Sequence, residues 1–253
     1  MPVAPTTQGE GFQFLGPDHL VVLLLTFAVP ACLAWWVRQS RLQRLERIAS
    51  WSLAAVLVGG QIVNGAVSLH SGNVDEFLAN SLPLHVCGLG AYLAAWAVLT
   101  RSQCAFEVAY FWGTAGTLQA IFTPELEVGF PSYDFIRFYL THSTQLATVL
   151  FTTWGLRLRP RPGSVIRVYV LSVGFMIGVG TLDWLLDWNY MYLRHLPGGA
   201  AARSPFFFVP WPWYVVALQP VTLGLFVFFY LPFVLADRIR GRRTVRARAT
   251  RRD

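Results

Sequence analysis

Long apolar runs separated by short polar gaps dominate the chain, and their lengths predict helices that cross a bilayer. Seven runs stand out, at 17–37, 48–69, 81–100, 105–122, 134–156, 165–188 and 211–236. Each is close to the roughly 20 residues a helix needs to traverse the hydrocarbon core. The expectation is an all-α fold, a polytopic membrane bundle of seven transmembrane helices. A short N-terminal segment (1–16) precedes one transmembrane domain (17–236), and a basic tail (237–253) follows it. No second domain, internal repeat or long linker is visible. The short gaps after the first, third and fifth runs predict antiparallel contact between sequence neighbours.

Charge gives the runs a direction. Placing those three gaps and the tail in the cytoplasm puts 16 of the 20 arginines there and Arg167 at the same edge of the sixth run, 17 in all, leaving Arg137, Arg194 and Arg203 outside. That bias follows the positive-inside rule with the N-terminus out and the C-terminus in. The first seventeen residues hold no Lys or Arg, so the first run is expected to insert as an uncleaved span.

Composition agrees: hydrophobic residues are 55%, charged residues 13% and mean hydropathy +0.47, too apolar for an ordinary soluble domain. The net charge of +7 comes mostly from arginines beside the spans. Anionic lipid headgroups on the cytoplasmic leaflet are therefore the expected partner of the tail, and nucleic acid is not. With no lysine in the chain, lysine Schiff-base chemistry is excluded. Basic residues that are all arginine fit a GC-rich bacterial genome, and hence a multi-pass protein of the bacterial inner membrane. Cys32, Cys87 and Cys104 have neither metal-ligand spacing nor the pattern of a disulfide framework.

Small residues recur where helices should touch: Gly59, Gly60 and Gly65, Gly88 and Gly90, Gly113 and Gly116, and Gly174, Gly178 and Gly180. Pro220 and Pro232 predict bends in the last helix. The outer loop 189–210 is rich in Trp, Phe and Pro. It reads as an interfacial aromatic belt, with a lid over an outward-facing cavity as the sharper alternative.

The polar positions inside the runs carry the chemical expectation. Gln61, Asn64 and Ser68 share one face of the second helix. His85 and Cys87 open the third; Thr114, Thr117 and Gln119 end the fourth. Asp134, Arg137, Thr141, His142 and Gln145 begin the fifth, and Asp183, Asp187 and Asn189 close the sixth. In the predicted topology all of these fall in the outer half of the bilayer, where polar groups turn inward to a shared pocket. The other halves are plainer, with Glu107 and Arg167 as exceptions. Interhelical hydrogen bonding accounts for such groups equally well. An Arg137 ion pair with Asp134 or Asp183, and back-bonding by Thr141 and Ser143, are the expected structural uses.

As chemistry, histidine is a general base near neutral pH. His142 as base, Asp183 orienting it, and Cys87 or a nearby Thr as nucleophile would make an acyl-transfer site. His85 and Cys87 are two apart and diverge by about 200° on an ideal helix, so joint action requires a distorted first turn. The candidate catalytic residues are His142, His85, Cys87 and Asp183. Gln61, Asn64, Gln119, Arg137, Thr141, Gln145 and Asn189 line the expected pocket. Two histidines without HxxxH or HExxH spacing suggest no metal site, and no cofactor is expected.

At Leu82–Cys87, Phe138–His142, Asn189–Pro197 and Pro210–Tyr214 the chain resembles the YwaF-like bacterial integral membrane proteins, a seven-helix family. That family is similar to the eukaryotic transmembrane protein 164 group, whose members are linked to acyl transfer between phospholipids. A more distant likeness runs to the androgen-induced and androgen-dependent membrane hydrolases of fatty-acid esters, which use a Thr and a His. The resemblance implies a lipid acyl hydrolase or acyltransferase, with His85 and His142 as functional histidines. The nucleophilic Cys that precedes the first histidine in the relatives is Leu84 here. A transporter or small-molecule binding protein using the same pocket, or a membrane scaffold, are the alternatives.

Overall fold

A computed structural model describes residues 11–40, 42–70, 74–124, 126–196 and 209–249, and among these the chain is helical. The helices are α1 (Pro17–Ser40), α2 (Gln43–His70), α3 (Val74–Asn80), α4 (Val86–Thr100), α5 (Gln103–Trp112), α6 (Leu118–Phe122), α7 (Tyr133–Trp154), α8 (Ser164–Leu186) and α9 (Trp213–Ala249). A π-helical segment, Gly113–Thr117, joins α5 to α6, and a 3-10 turn, Tyr190–Tyr192, follows α8. The one β feature among the described residues is an isolated bridge between Gly11 and Val128.

Every apolar run therefore falls on a helix or on consecutive helical elements. Four of them, α1, α2, α8 and the Trp213–Ile239 part of α9, are long and apolar enough to cross a membrane. The other three fall short for different reasons. α4 has 15 residues, because the chain turns through 81–84 and is extended at His85 before the helix begins. The 105–122 run is divided by the π segment. α7 has 22 residues but gives many positions to polar side chains.

The same division sets the packing. α4 and α5 form the centre: Ala91, Ala94, Ala95, Ala97 and Val98 are buried, as is all of α5 from Ala105 to Trp112. The long apolar helices ring them and present Leu24, Trp35, Trp51, Ile177 and Trp184 outward. So much exposed apolar surface suits an apolar surround and not water. A second cluster of Ile121, Leu126, Phe135, Tyr139 and Leu146 sits under the segment before α1, with Phe12 packed on it.

Sequence neighbours do not always pair. α1 packs chiefly on α7 and only lightly on α2, although 41–42 is all that separates α1 from α2. The Thr26 and Ser143 hydroxyls meet at 2.7 Å across the α1–α7 contact, and His19 Nε2 bonds Ile121 O at 3.0 Å. The stripe Gly174–Gly178 of α8 meets no neighbour, unlike Gly60, Gly90 and Gly113, so small residues mark contacts only in part. Residues 240–249 prolong α9 beyond its apolar part, and the helix is continuous through Pro220 and Pro232. Near Pro232, Tyr110 donates to Phe229 O (3.0 Å) and Arg159 to Phe233 O (3.1 Å).

One end of the bundle is fastened by Glu107, whose carboxylate is buried. It accepts from Arg161 N and Nε (2.9 Å each), Arg161 Nη2 (3.1 Å), Gln103 Nε2 (3.2 Å) and Arg167 Nη2 (3.3 Å). Arg159 pairs with Asp237 of α9 at 2.8 Å. These bonds tie α5, the α7–α8 link, α8 and α9 together. Charges in the plainer halves thus serve as a structural clamp.

Candidate functional site

The opposite end gathers the start of α4, the end of α2, the first half of α7 and the end of α8. On α7 the side chains of Asp134, Phe138, Thr141 and Gln145 follow one stripe. Arg137 and His142 flank it, about 140° apart around the axis. Of the two ion-pair partners expected for Arg137, it meets Asp134, at 3.6 Å and within its own helix, so the pair does not tie α7 to a neighbouring helix. Thr141 donates to Arg137 O (2.8 Å) and lies 3.1 Å from Phe138 O, the back-bonding of a helical threonine.

His142 is half-buried and stacked on Phe138, with ring centroids 4.2 Å apart. Its Nδ1 lies 2.8 Å from Phe138 O. A carbonyl only accepts, so the proton sits on Nδ1 and the lone pair on Nε2. A base needs that tautomer. The group that orients the ring is thus the helix's own backbone and not Asp183, the orienter expected for it, which bonds Tyr190 N instead.

His85 has the opposite tautomer. It lies in extended backbone (φ −77°, ψ 146°) just before α4, so the distorted entry foreseen for joint action with Cys87 is present. Met191 N donates to His85 Nδ1 at 3.3 Å, which leaves the proton on Nε2. The ring packs edge-on against Tyr190 at 5.0 Å. His142 lies near enough to both Arg137 and His85 to feel their charge.

Tyr190 is wholly buried and organises this corner. Its hydroxyl donates to Leu78 O (2.7 Å) and accepts from Leu82 N (3.0 Å). Burial pushes its phenol above the ordinary value, so it remains a donor. Asp183, also wholly buried, accepts from Tyr190 N at 3.0 Å through Oδ1, and its Oδ2 has no partner among the described residues. Asn189 holds the turn: Oδ1 accepts from Arg194 N and His195 N at 3.1 Å each, and Nδ2 donates to His195 O at 3.0 Å. It is a loop-folding residue in this arrangement. Asp187 is exposed and pairs with Arg194.

Gln145 is buried against α4. Its Nε2 has no partner among the described residues and occupies the space where a Cβ on Gly90 would stand. Thr117, at the end of the π segment, likewise has a buried hydroxyl without a partner. That segment packs on α4, α7 and α9, and π segments recur at functional sites. Gln61, Asn64, Gln119 and Cys87 are half-buried. No three His, Cys, Asp or Glu residues among those described are grouped to hold a metal. The loop residues 197–208, where the lid was expected, lie outside the described residues.

The sequence reading missed Tyr190 as a hub and His19. The aromatic NYMY run is the signal for the first, and the polar Asp18-His19 pair opening an apolar helix for the second. His19 is structural here, with Nδ1 accepting from Leu15 N at 3.1 Å and Nε2 bonded to Ile121 O.

Residues 14–230 match the family model described as the TMEM164 family. No curated protein and no solved structure matches the chain.

Proposed function

We propose that this chain, which belongs to the TMEM164 family, is an intramembrane lipid acyl hydrolase or acyltransferase with His142 as its base. The observation that carries the reading is a pair of contacts, His142 Nδ1 on the Phe138 carbonyl and His85 Nδ1 on the Met191 N–H, which call for opposite tautomers: His142 with a bare Nε2 and His85 with a protonated one. One is the form that accepts a proton; the other donates a hydrogen bond.

The reaction proposed is direct. His142 Nε2 takes the proton of a water, or of a lysolipid hydroxyl, as that oxygen bonds to the ester carbonyl carbon. The carbonyl electron pair moves onto oxygen, where His85 Nε2–H and the Gln145 amide donate to it. Collapse expels the alkoxide, which recovers the proton from His142. Leu84 in the relatives' nucleophile position, and a Thr141 hydroxyl engaged with its own helix, favour direct attack over an acyl-enzyme. Membrane lipids are then the substrates.

The topology proposed with it is seven spans, N-terminus out and C-terminus in, in a bacterial inner membrane. The tail arginines would face anionic headgroups. The arginine distribution supports this, as does the coincidence of each apolar run with helix. It places the histidines in the outer half.

Lipid mass spectrometry on protein in nanodiscs tests the activity, with a diacyl phospholipid and a lysophospholipid supplied. Wild type is expected to yield free fatty acid or exchanged acyl chains, and folded His142→Ala none. Product that persists in His142→Ala would remove His142 from its role. Ligand-induced thermal stabilisation without product would favour a binding or transport protein on the same residues.

A further inference from the structure

The end of α8 and the start of α4 are joined by one chain of contacts. Asp183 Oδ1 accepts Tyr190 N at 3.0 Å, and the next residue, Met191, donates its N–H to His85 Nδ1 at 3.3 Å. At and just after the second bond the backbone takes a conformation it would not hold unaided. Whereas Asp187 (φ 62°) is the ordinary left-handed cap that ends α8, Met191 and Tyr192 have positive φ, at 52° and 59°. Such residues persist only where their surroundings over-determine them. The surroundings here are the Asp183 carboxylate before the turn, the Asn189 side chain that closes its far side on Arg194 N and His195 N, and the Tyr190 hydroxyl, fixed between Leu78 O and Leu82 N.

We propose that Asp183 is a positioning residue for His85: by holding Tyr190 N it sets the turn whose Met191 N–H fixes the His85 ring as the Nε2–H tautomer. This rests on the reading of His85 as a hydrogen-bond donor in the reaction. Asp183 therefore serves the histidine on α4, through backbone, and not His142 on α7. A wholly buried carboxylate with one oxygen spent on a single peptide N–H is an expensive way to cap a turn, which is why a role beyond packing is assigned to it. The part of Asp183 that matters is its acceptor oxygen. An asparagine, whose side-chain oxygen accepts equally, keeps the function; an alanine does not.

The test is nitrogen NMR of full-length protein labelled with 15N-histidine in nanodiscs, with the His85 signals assigned by their loss in His85→Gln. In wild type, His85 Nδ1 is expected as the unprotonated ring nitrogen and Nε2 as the protonated one. The reverse would overturn the proposal without any variant. Asp183→Asn is expected to retain the wild-type signature, and Asp183→Ala to show both tautomers in exchange. A wild-type signature in folded Asp183→Ala would overturn it, as would Asp183→Asn behaving like alanine. If Asp183→Ala fails to fold, the wild-type and Asp183→Asn spectra still decide. The signature needs no substrate, so an inactive wild type would count against the enzyme reading and leave this one standing. Where product forms, Asp183→Ala should lower it by roughly tenfold or more and Asp183→Asn should restore it. Undiminished product from a tautomer-scrambled Asp183→Ala would overturn the positioning role.

Discussion

At Gly90 a hydrogen stands where any other residue has carbon, and the Gln145 amide takes up that space. Gly90→Ala should therefore push the amide out of place and lower stability by about 1–3 kcal/mol, as overpacked cores do. Thermal unfolding in detergent measures it, and an unchanged midpoint would mean the amide moves freely. Gln145→Leu makes the opposite demand. Removing a buried donor that lacks a partner should leave stability equal or higher. If the amide serves the oxyanion, product formation should fall about 10²–10³-fold, as the nanodisc assay reads. His85, His142, Gln145 and Asp183 stood out in the sequence as candidates because polar groups are rare in hydrocarbon. The tautomers of the two histidines did not, since these depend on which backbone atom lies beside each ring. The partner of Asp183 is Tyr190 N and not the His142 ring, because the turn at 190–192 is not written in helical spacing.

Within single elements the π segment is the least expected feature. The 105–122 run reads as a helix, and it is helical throughout. The extra residue within Gly113–Thr117 leaves no mark on apolar periodicity beyond a cluster of small residues. Deleting Gly116 should close the segment into regular α-helix, keep the facing of α6 and remove the bulged turn that packs on α4, α7 and α9. Ile121 would stay with the second core cluster, so the loss falls on the bulged turn. Marked loss of thermal stability is expected, whereas Gly116→Ala, whose Cβ would meet only Val86 at 3.9 Å, should stay within about 0.5 kcal/mol of wild type. Equal effects of the two would remove the segment's structural importance. The Glu107 clamp is the second element-level device. Glu107→Ala should cost about 2 kcal/mol, less than a fully buried ion pair because Arg161 and Arg167 are half exposed. A faster cleavage of the 157–163 link by protease would report it.

For the molecule as a whole, hydropathy carried the helix inventory and arginine placement carried a direction. A direct check uses Cys104, exposed at the start of α5, in a chain bearing Cys32→Ser and Cys87→Ser. An impermeant maleimide should label it in inside-out vesicles and not in right-side-out ones; the reverse pattern would invert the orientation. Partner choice among helices was not legible. Apolar runs state that a helix is stable in lipid and say nothing of which neighbour it prefers, so contact between α1 and α2 was expected from a short link and α1 settled on α7.

That choice of partner also orders the making of the protein. The α1 groups Thr26 and His19 find partners 117 and 102 residues further along. At roughly 5–20 residues per second of synthesis, the first helix waits in the membrane for several seconds or more before its mate is made. Until then the Thr26 hydroxyl has its own helix carbonyl, Val22 O, to rest on. A nascent chain halted after its fourth apolar run would hold the Ile121 partner of His19 and still present, bare, the face of α1 that later meets Ser143 and the rest of α7.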